Sequence, residues 1–120
     1  MEEPTGVHLI AKERYRQVNE EGYSDDYDAH HTEGQLAMAA TCYAAPRPLY
    51  IVEGHVPDGP VSVTDPWPAG LEDKRRRWLD GKWLLQEKFL GKEERLRHLA
   101  IAGALIAAEI DRLQARRERV

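Results

Sequence analysis

The chain has 120 residues, a formal net charge of −4, 42% hydrophobic residues and one cysteine. This length predicts a single domain, 1–120, that buries a core without disulfides or metals. The single cysteine is typical of a reducing compartment. No apolar run is long enough to span a membrane. The overall acidity argues against sequence-independent nucleic-acid binding, which depends on neutralising phosphates.

The first predicted helix runs over about 7–21. Thr5 is positioned to cap its start, and Gly22 is a plausible stop. Its expected stripe turns polar halfway along the helix and consists of Val7, Ile10, Arg14, Val18 and Glu21.

A polar loop is expected over 22–31, followed by a second helix that ends near Ala45. Thr32 and Gln35 have the spacing of a capping box. Helical spacing predicts a buried stripe that consists of Leu36, Ala40 and Tyr43. Prolines then end the helix, because proline lacks the amide donor that a helix interior needs.

The middle of the chain changes character. Two β-branched and aromatic segments flank a dense turn signal and predict a β-hairpin over about 49–64, which must lean on the helices to be stable. A rigid linker over 65–70 follows, with Trp67 as an aromatic anchor. One or two short helices are expected over 71–90, with inward residues Trp78, Trp83, Leu84 and Phe89.

The last helix is predicted over about 92–117. Its main apolar stripe alternates by three and four residues, and consists of Leu96, Leu99, Gly103, Ile106, Ile110 and Leu113. A second stripe lies beside it: Ala102, Leu105 and Glu109. Gly103 costs helix stability, which close packing of a neighbouring helix would offset. The elements together predict a mainly α fold, a small antiparallel bundle of three to four helices with a short β-hairpin insertion.

Charge is distributed unevenly along this frame. Residues 1–33 hold nine acidic and three basic side chains, whereas residues 71–120 hold nine acidic and thirteen basic ones. Two interpretations remain open. Either the acidic and basic segments are solvated faces that attract each other, or the basic segment binds an anion such as a phosphate.

The first candidate site is the acidic and histidine-containing loop, Asp25, Asp26, Asp28, His30, His31 and Glu33. Carboxylates and imidazoles this close could bind a divalent metal, but their spacing matches no established ligand pattern. A solvated loop that helps to cap the second helix is the favoured interpretation, and no metal site is predicted.

The second candidate centres on Glu109, which lies beside the apolar stripe of the last helix and therefore needs a partner. A structural ion pair with Arg14 or Arg16 is favoured. The alternative is a polar ligand pocket between helices, built from Arg14, Gln17, Glu21, His31, Gln35 and Glu109, with Asp28 beside it.

The third candidate is an aromatic and basic segment: Trp67, Arg75, Arg76, Arg77, Trp78 and Trp83. Stacking faces and guanidinium groups suit a purine and its phosphates. The alternative is that the tryptophans are core residues and the arginines a solvated face.

Catalytic signatures are absent from the sequence. There is no phosphate-binding glycine loop, no HExxH, no GxSxG and no CxxC. Cys42, in an alanine-rich helix, is expected to be buried packing. We therefore predict no catalytic residues and no cofactor.

Several segments resemble a family of small phage and prophage proteins of helical type. They are 13–18, 21–23, 34–37, 43–44, 66–68, 102–106 and 108–113, together with Asp28 and His31. The chain departs from the family's usual residues at Gln35, where relatives carry glutamate, and at Ile101, where they carry lysine. In size and helical type it is distantly similar to MazG-like pyrophosphohydrolases, although their paired ExxE and ExxD carboxylates are not present.

The resemblance implies an accessory role in the cytoplasm of a bacterial host. The expected function is to bind and sequester a nucleotide-derived small molecule that signals in antiviral defence, as a homo-oligomer. Two alternatives stay open. One is a variant MazG-like nucleoside triphosphate pyrophosphohydrolase, and the other is an inhibitor that binds a host protein through the hairpin edge.

Overall fold

The computed structural model describes residues 3–54, 59, 62–75, 88 and 90–118. The described elements, in chain order, are α1 (Gly6–Asn19), α2 (Asp25–Ala29), α3 (Gln35–Ala44), β1 (Ile51–Glu53), β2 (Ser62–Thr64) and α4 (Lys92–Glu118). The predicted mainly α fold with a small hairpin is confirmed. Within the described residues, α1, α2 and α3 each pack on α4.

Helix α1 begins as predicted, because the Thr5 hydroxyl accepts a hydrogen bond from the amide of His8. Its predicted stripe is right at Ile10, whose side chain lies over Gly103 of α4, but wrong at its two valines. Val7 is 80% exposed and Val18 is also exposed, whereas the buried residues are Glu13 and Gln17. The physical reason is that α1 turns a polar face toward α4, where ion pairs compensate the buried carboxylate of Glu13.

The segment predicted as a loop over 22–31 contains the short helix α2, which the Ser24 hydroxyl caps through the amide of Tyr27. The predicted capping box does not form. Helix α3 begins after Gly34, which adopts a left-handed conformation (φ +78°) and provides no side-chain cap. Glycine reaches this conformation without steric cost. The Gln35 amide oxygen instead accepts a hydrogen bond from the amide of Glu33.

Helix α3 supplies the centre of the core. Leu36, Ala40 and Tyr43 are buried as predicted, together with Ala39. Arg95 of α4 donates hydrogen bonds to the carbonyl oxygens of two residues in the last turn of α3, Tyr43 and Ala44. These carbonyls have no partner within their own helix, so the arginine caps α3 and attaches it to α4.

The hairpin forms as predicted, with β1 and β2 antiparallel and Val52 opposite Val63. Its expected support by the helices is not found, because all six strand residues are exposed. Trp67 in the following linker packs against the core cluster, as expected. The helices expected over 71–90 fall largely outside the described residues, and Trp78 and Trp83 lie there too.

Helix α4 has nearly the predicted bounds but turns a different face inward. The buried residues are Ala102, Ala104, Leu105 and Ala108. The larger residues of the main predicted stripe are exposed: Leu96, Leu99, Ile106, Ile110 and Leu113. The small side chains allow α1 and α3 to approach the α4 backbone closely, so the alanine-rich face forms the core. None of the described helices is long and apolar enough to cross a membrane.

Gly103 is a point of close approach between α1 and α4. A Cβ atom placed on Gly103 would lie 2.5 Å from Cδ1 and 2.6 Å from Cγ1 of Ile10. No side chain fits in that space while Ile10 keeps its position, so the close packing predicted at this glycine is confirmed.

Candidate functional site

A pocket of about 420 Å³ lies between α1, α3, α4 and the segment that follows Trp67. Its apolar floor consists of Ala39, Leu71, Ile101 and Leu105. This volume is within the range of sites that bind small molecules.

Aromatic rings form one wall of the pocket. The Tyr43 ring meets the Trp67 ring edge-on, with centroids 5.7 Å apart and an interplanar angle of 77°. On its other side it meets the imidazole of His98 at 5.1 Å and 86°. Edge-to-face contacts of this kind fix ring orientations, so the aromatic wall is preformed.

Burial sets the protonation of two of these rings. It raises the pKa of Tyr43 to about 12, so the phenol keeps its proton at neutral pH. It lowers the pKa of His98, with the nearby Arg95 as a smaller cause, so the imidazole is neutral at pH 7. The wall therefore carries no charge under ordinary conditions.

Gln17 is a buried polar residue of the pocket lining. Its side chain is only 2% exposed, and its amide oxygen is buried without a hydrogen-bond partner among the described residues. A buried acceptor without a partner costs about 1–3 kcal/mol. The backbone carbonyl of Gln17, unlike its side-chain oxygen, has a partner, because it accepts a hydrogen bond of 2.9 Å from the amide of Tyr23.

A network of ion pairs lies beside Gln17. Glu21 accepts hydrogen bonds from Lys74 at 2.6 Å and from Arg16 at 2.8 Å. These two cations lower the pKa of Glu21 to about 2, with Lys74 the larger cause. Arg16 also binds both carboxylate oxygens of Glu13, and Glu13 and Glu21 together raise the pKa of the guanidinium. This network holds the end of α1 against the segment around Lys74.

The charged residues of the lining balance. Three are cationic and three anionic: Arg16, Lys74 and Arg97 against Glu21, Glu72 and Glu94. Arg97 is more than half exposed and approaches Glu13 at 3.3 Å. A pocket with this balance presents cationic donors at its rim without a large excess of positive charge.

Arg14, Asp28 and His31, predicted as ligand-binding, lie together in a second polar cluster. The Arg14 guanidinium donates to the buried Asp28 carboxylate at 3.0 Å and lies 3.6 Å from that of Asp111. The buried His31 ring pairs through Nδ1 with the carbonyl of Tyr27 at 3.0 Å. These contacts tie α2 to α1 and α4.

Two further predicted residues lie apart from the pocket lining. Glu109 forms an ion pair with Arg112 one turn along α4. The favoured structural ion pair is therefore confirmed, but its expected partner, Arg14 or Arg16, was wrong, because the i,i+3 neighbour is within easier reach. Gln35 binds the backbone before α3, as described above.

The aromatic and basic candidate is partly described. The Arg75 guanidinium lies 4.6 Å from the centroid of the Trp67 ring and is held by Asp65 and Asp73 at 2.8 and 2.9 Å. The two carboxylates raise the pKa of Arg75 despite the opposing effect of its burial. Arg75 therefore supports the Trp67 ring. Trp78 lies outside the described residues.

Other reactive groups are accounted for among the described residues. Cys42 is buried, as predicted, and burial raises the pKa of its thiol. In the part of the chain that the structure describes, no three histidine, cysteine or acidic side chains lie together as a metal site would need.

Gln17, Glu21 and Trp67 of this lining could be identified from the sequence, whereas other lining residues, among them Lys74, Arg97 and His98, could not. His98 precedes Ile101 and Leu105 by three and seven residues, so helical spacing could have placed it on their face. Lys74 gives no such signal, because 53 residues separate it from Glu21.

No protein-family model matches the chain, and searches of curated proteins and of solved structures returned no match. The resemblance to phage proteins therefore stays a prediction.

Proposed function

We propose that the protein is a binding module that captures a nucleotide-derived small molecule in the pocket beside Gln17. The observation that carries the proposal is the buried Gln17 amide, whose oxygen has no hydrogen-bond partner among the described residues. A ligand that donates a hydrogen bond to this oxygen would remove the cost of its burial.

A heteroaromatic base fits this lining. A glutamine amide presents a donor and an acceptor in one plane, and this is the pattern that pairs with the edge of a purine such as adenine. The aromatic wall of Tyr43 and Trp67 offers contacts to the ring. A volume of about 420 Å³ accommodates a nucleoside with part of its phosphate outside.

The rim favours a ligand of low charge. Lys74 and Arg97 can contact a phosphate group by charge-assisted hydrogen bonds. Because acidic side chains match the cationic ones in number, each added phosphate also meets repulsion. We therefore expect nucleoside monophosphates, ADP-ribose or cyclic dinucleotides to bind more tightly than triphosphates.

The resemblance to phage and prophage proteins supplies the biological setting of the proposal. A phage protein that holds a nucleotide signal lowers its concentration in the host cytoplasm, and it needs no catalytic group to do so. This function would blunt a host defence that depends on the signal.

Calorimetric titration with AMP, ADP-ribose, a cyclic dinucleotide and ATP tests the proposal. We expect binding of at least one of the first three, weaker binding of ATP, and a rise in thermal stability, since ligand at 100 times Kd adds about 2.7 kcal/mol. Gln17→Leu keeps the side-chain size but removes the amide, and should weaken binding about 10- to 100-fold.

Gln35→Leu is the matched control, because this glutamine binds the backbone before α3 and is not part of the pocket lining. It should leave the affinity unchanged. Absence of binding by all four ligands at millimolar concentration, or equal affinity of the Gln17→Leu variant and the wild type, would contradict the proposal.

A further inference from the structure

A groove of about 790 Å³ adjoins the ligand pocket. It lies between α1 and α4 and extends to the residues that precede α1. Arg16 and Arg97 line both the groove and the pocket, so the two cavities meet at these guanidinium groups. Each volume is within the range of sites that bind small molecules. The two cavities together therefore have room for the two halves of one larger ligand.

Arg97 is a cation at this junction that is available to a ligand. A guanidinium has five N–H donors, and among the described residues that of Arg97 makes one hydrogen bond, of 3.3 Å to Glu13. Its side chain is 54% exposed. Arg16 differs, because Glu13 and Glu21 together bind all three of its guanidinium nitrogens. A phosphate at the junction can therefore bind Arg97 and leave the buried network in place.

The groove offers an apolar and aromatic surface on which a second base can lie. Leu9 and Tyr15 of α1 and Leu96 of α4 are part of its lining. Tyr15 is 71% exposed and Leu96 is 41% exposed, so both side chains are open to a ligand. Bases stack on aromatic side chains with little dependence on base identity. The lining of the groove therefore suits a nucleoside, as the aromatic wall of the pocket does.

The charges of the two linings limit how many negative charges the ligand carries. In the groove, as in the pocket, acidic and basic side chains are equal in number. The acidic groups repel added anionic charge, which favours a ligand with few phosphate charges. A terminal phosphate carries roughly two negative charges at neutral pH, whereas a phosphodiester between two nucleosides carries one. A phosphodiester is therefore the phosphate group that best suits the junction.

From these observations we infer that the ligand is a dinucleotide that spans both cavities. One nucleoside occupies the pocket beside Gln17, the phosphodiester binds Arg97, and the second nucleoside occupies the groove. Within the groove, the second base stacks on Tyr15 and contacts Leu96. The inference rests on the proposed function, and it adds the site for the second half of the ligand.

Calorimetric titration with matched ligands tests the inference. Adenylyl-adenosine has two nucleosides joined by one phosphodiester, and the 3′- and 5′-methyl phosphodiesters of adenosine carry the same charge on one nucleoside. We expect adenylyl-adenosine to bind at least about 10-fold more tightly than either methyl ester, because a second stacked base adds contacts. Equal affinities, or no binding of adenylyl-adenosine at millimolar concentration, would overturn the inference. The proposed function would still stand if AMP binds and Gln17→Leu weakens that binding.

Leu96→Glu tests whether the gain in affinity comes from the groove. Leu96 lines the groove and not the pocket, so the variant places a carboxylate against the second nucleoside alone. It should lower the affinity for adenylyl-adenosine about 10-fold and leave the affinity for the methyl esters unchanged. Leu99→Glu is the matched control, because Leu99 has the same 41% exposure on α4 and lies in neither lining. This control should bind adenylyl-adenosine as the wild type does.

Arg97→Gln tests the position of the phosphodiester. The three ligands share this group, so the variant should weaken the binding of all of them by a similar factor of about 10. Its far-ultraviolet circular dichroism should match that of the wild type, because the Arg97 side chain is more than half exposed. Full affinity of Arg97→Gln, full affinity of Leu96→Glu for adenylyl-adenosine, or a loss in Leu99→Glu as large as in Leu96→Glu would each overturn the inference.

Discussion

The inner and outer faces of α4 are both apolar, yet they differ in the size of their side chains. The inner face, with Ala102, Ala104 and Ala108 around Leu105, is buried against α1 and α3. The outer face carries large aliphatic residues and is about half exposed. Helices approach most closely where side chains are small. Side-chain size, and not hydrophobicity alone, therefore decides which face of this helix forms the core.

The strongest test of this comparison uses two neighbouring residues. Leu105→Ala creates a cavity in the core and should lower the free energy of unfolding by about 3 kcal/mol. Ile106→Ala, one position along on the outer face, should cost less than about 1 kcal/mol. Urea denaturation of the wild type and of both variants measures the difference. Equal losses would mean that the two faces are not distinguished in solution.

A second test concerns the contact between α1 and α4. Gly103→Ala should destabilise the protein by about 1–2 kcal/mol, because the new methyl group overlaps Ile10 and overpacking outweighs the gain in helix propensity. In an Ile10→Ala background the overlap is gone, so the same substitution should stabilise by about 1 kcal/mol. Urea denaturation of the wild type, the two single variants and the double variant gives the coupling free energy between positions 10 and 103. Equal effects of Gly103→Ala in both backgrounds would contradict the close packing.

The smallest expected effect is that of pH on the stability that Glu21 of the pocket lining contributes. Lys74 and Arg16 lower the pKa of Glu21 from 4.5 to about 2 in the folded protein. The ionised carboxylate therefore contributes stability above pH 4.5, and this contribution is lost as the pH falls from 4.5 toward 2. Glu21→Gln should show a shallower loss of stability over this window, measured by urea denaturation at each pH. An acid slope that Glu21→Gln leaves unchanged would show that other groups dominate the pH dependence.

Local signals in the sequence predicted much of the fold. The Thr5 cap, the Leu36 and Tyr43 positions and the hairpin each depend on neighbours within a few residues. The start of α3 was harder to predict, because the left-handed Gly34 replaced a plausible capping box. The buried faces of α1 and α4 depend on how closely helices approach, which periodicity alone does not show.

The residues of the candidate site also divide into those that the sequence could identify and those that only the tertiary fold brings together. Gln17, Glu21 and Trp67 could be identified because polar or aromatic residues stood out within their segments. Lys74 and His98 join them only through the tertiary fold, which brings distant segments to one pocket. The sequence also grouped Gln17 with Arg14, whereas in the structure these two residues of α1 contribute to different polar clusters.

The position of α4 in the chain has a consequence for synthesis. In the described fold, α1, α2 and α3 each pack on α4, so the earlier helices emerge from the ribosome before their common packing surface exists. Chains grow at about 5–20 residues per second, and α4 is made last of these elements. Until it arrives, the buried carboxylate of Glu13 and the apolar face of α3 have no support from α4. Folding of these elements is therefore expected to follow the synthesis of α4, with α1, α2 and α3 open to chaperones in the interval.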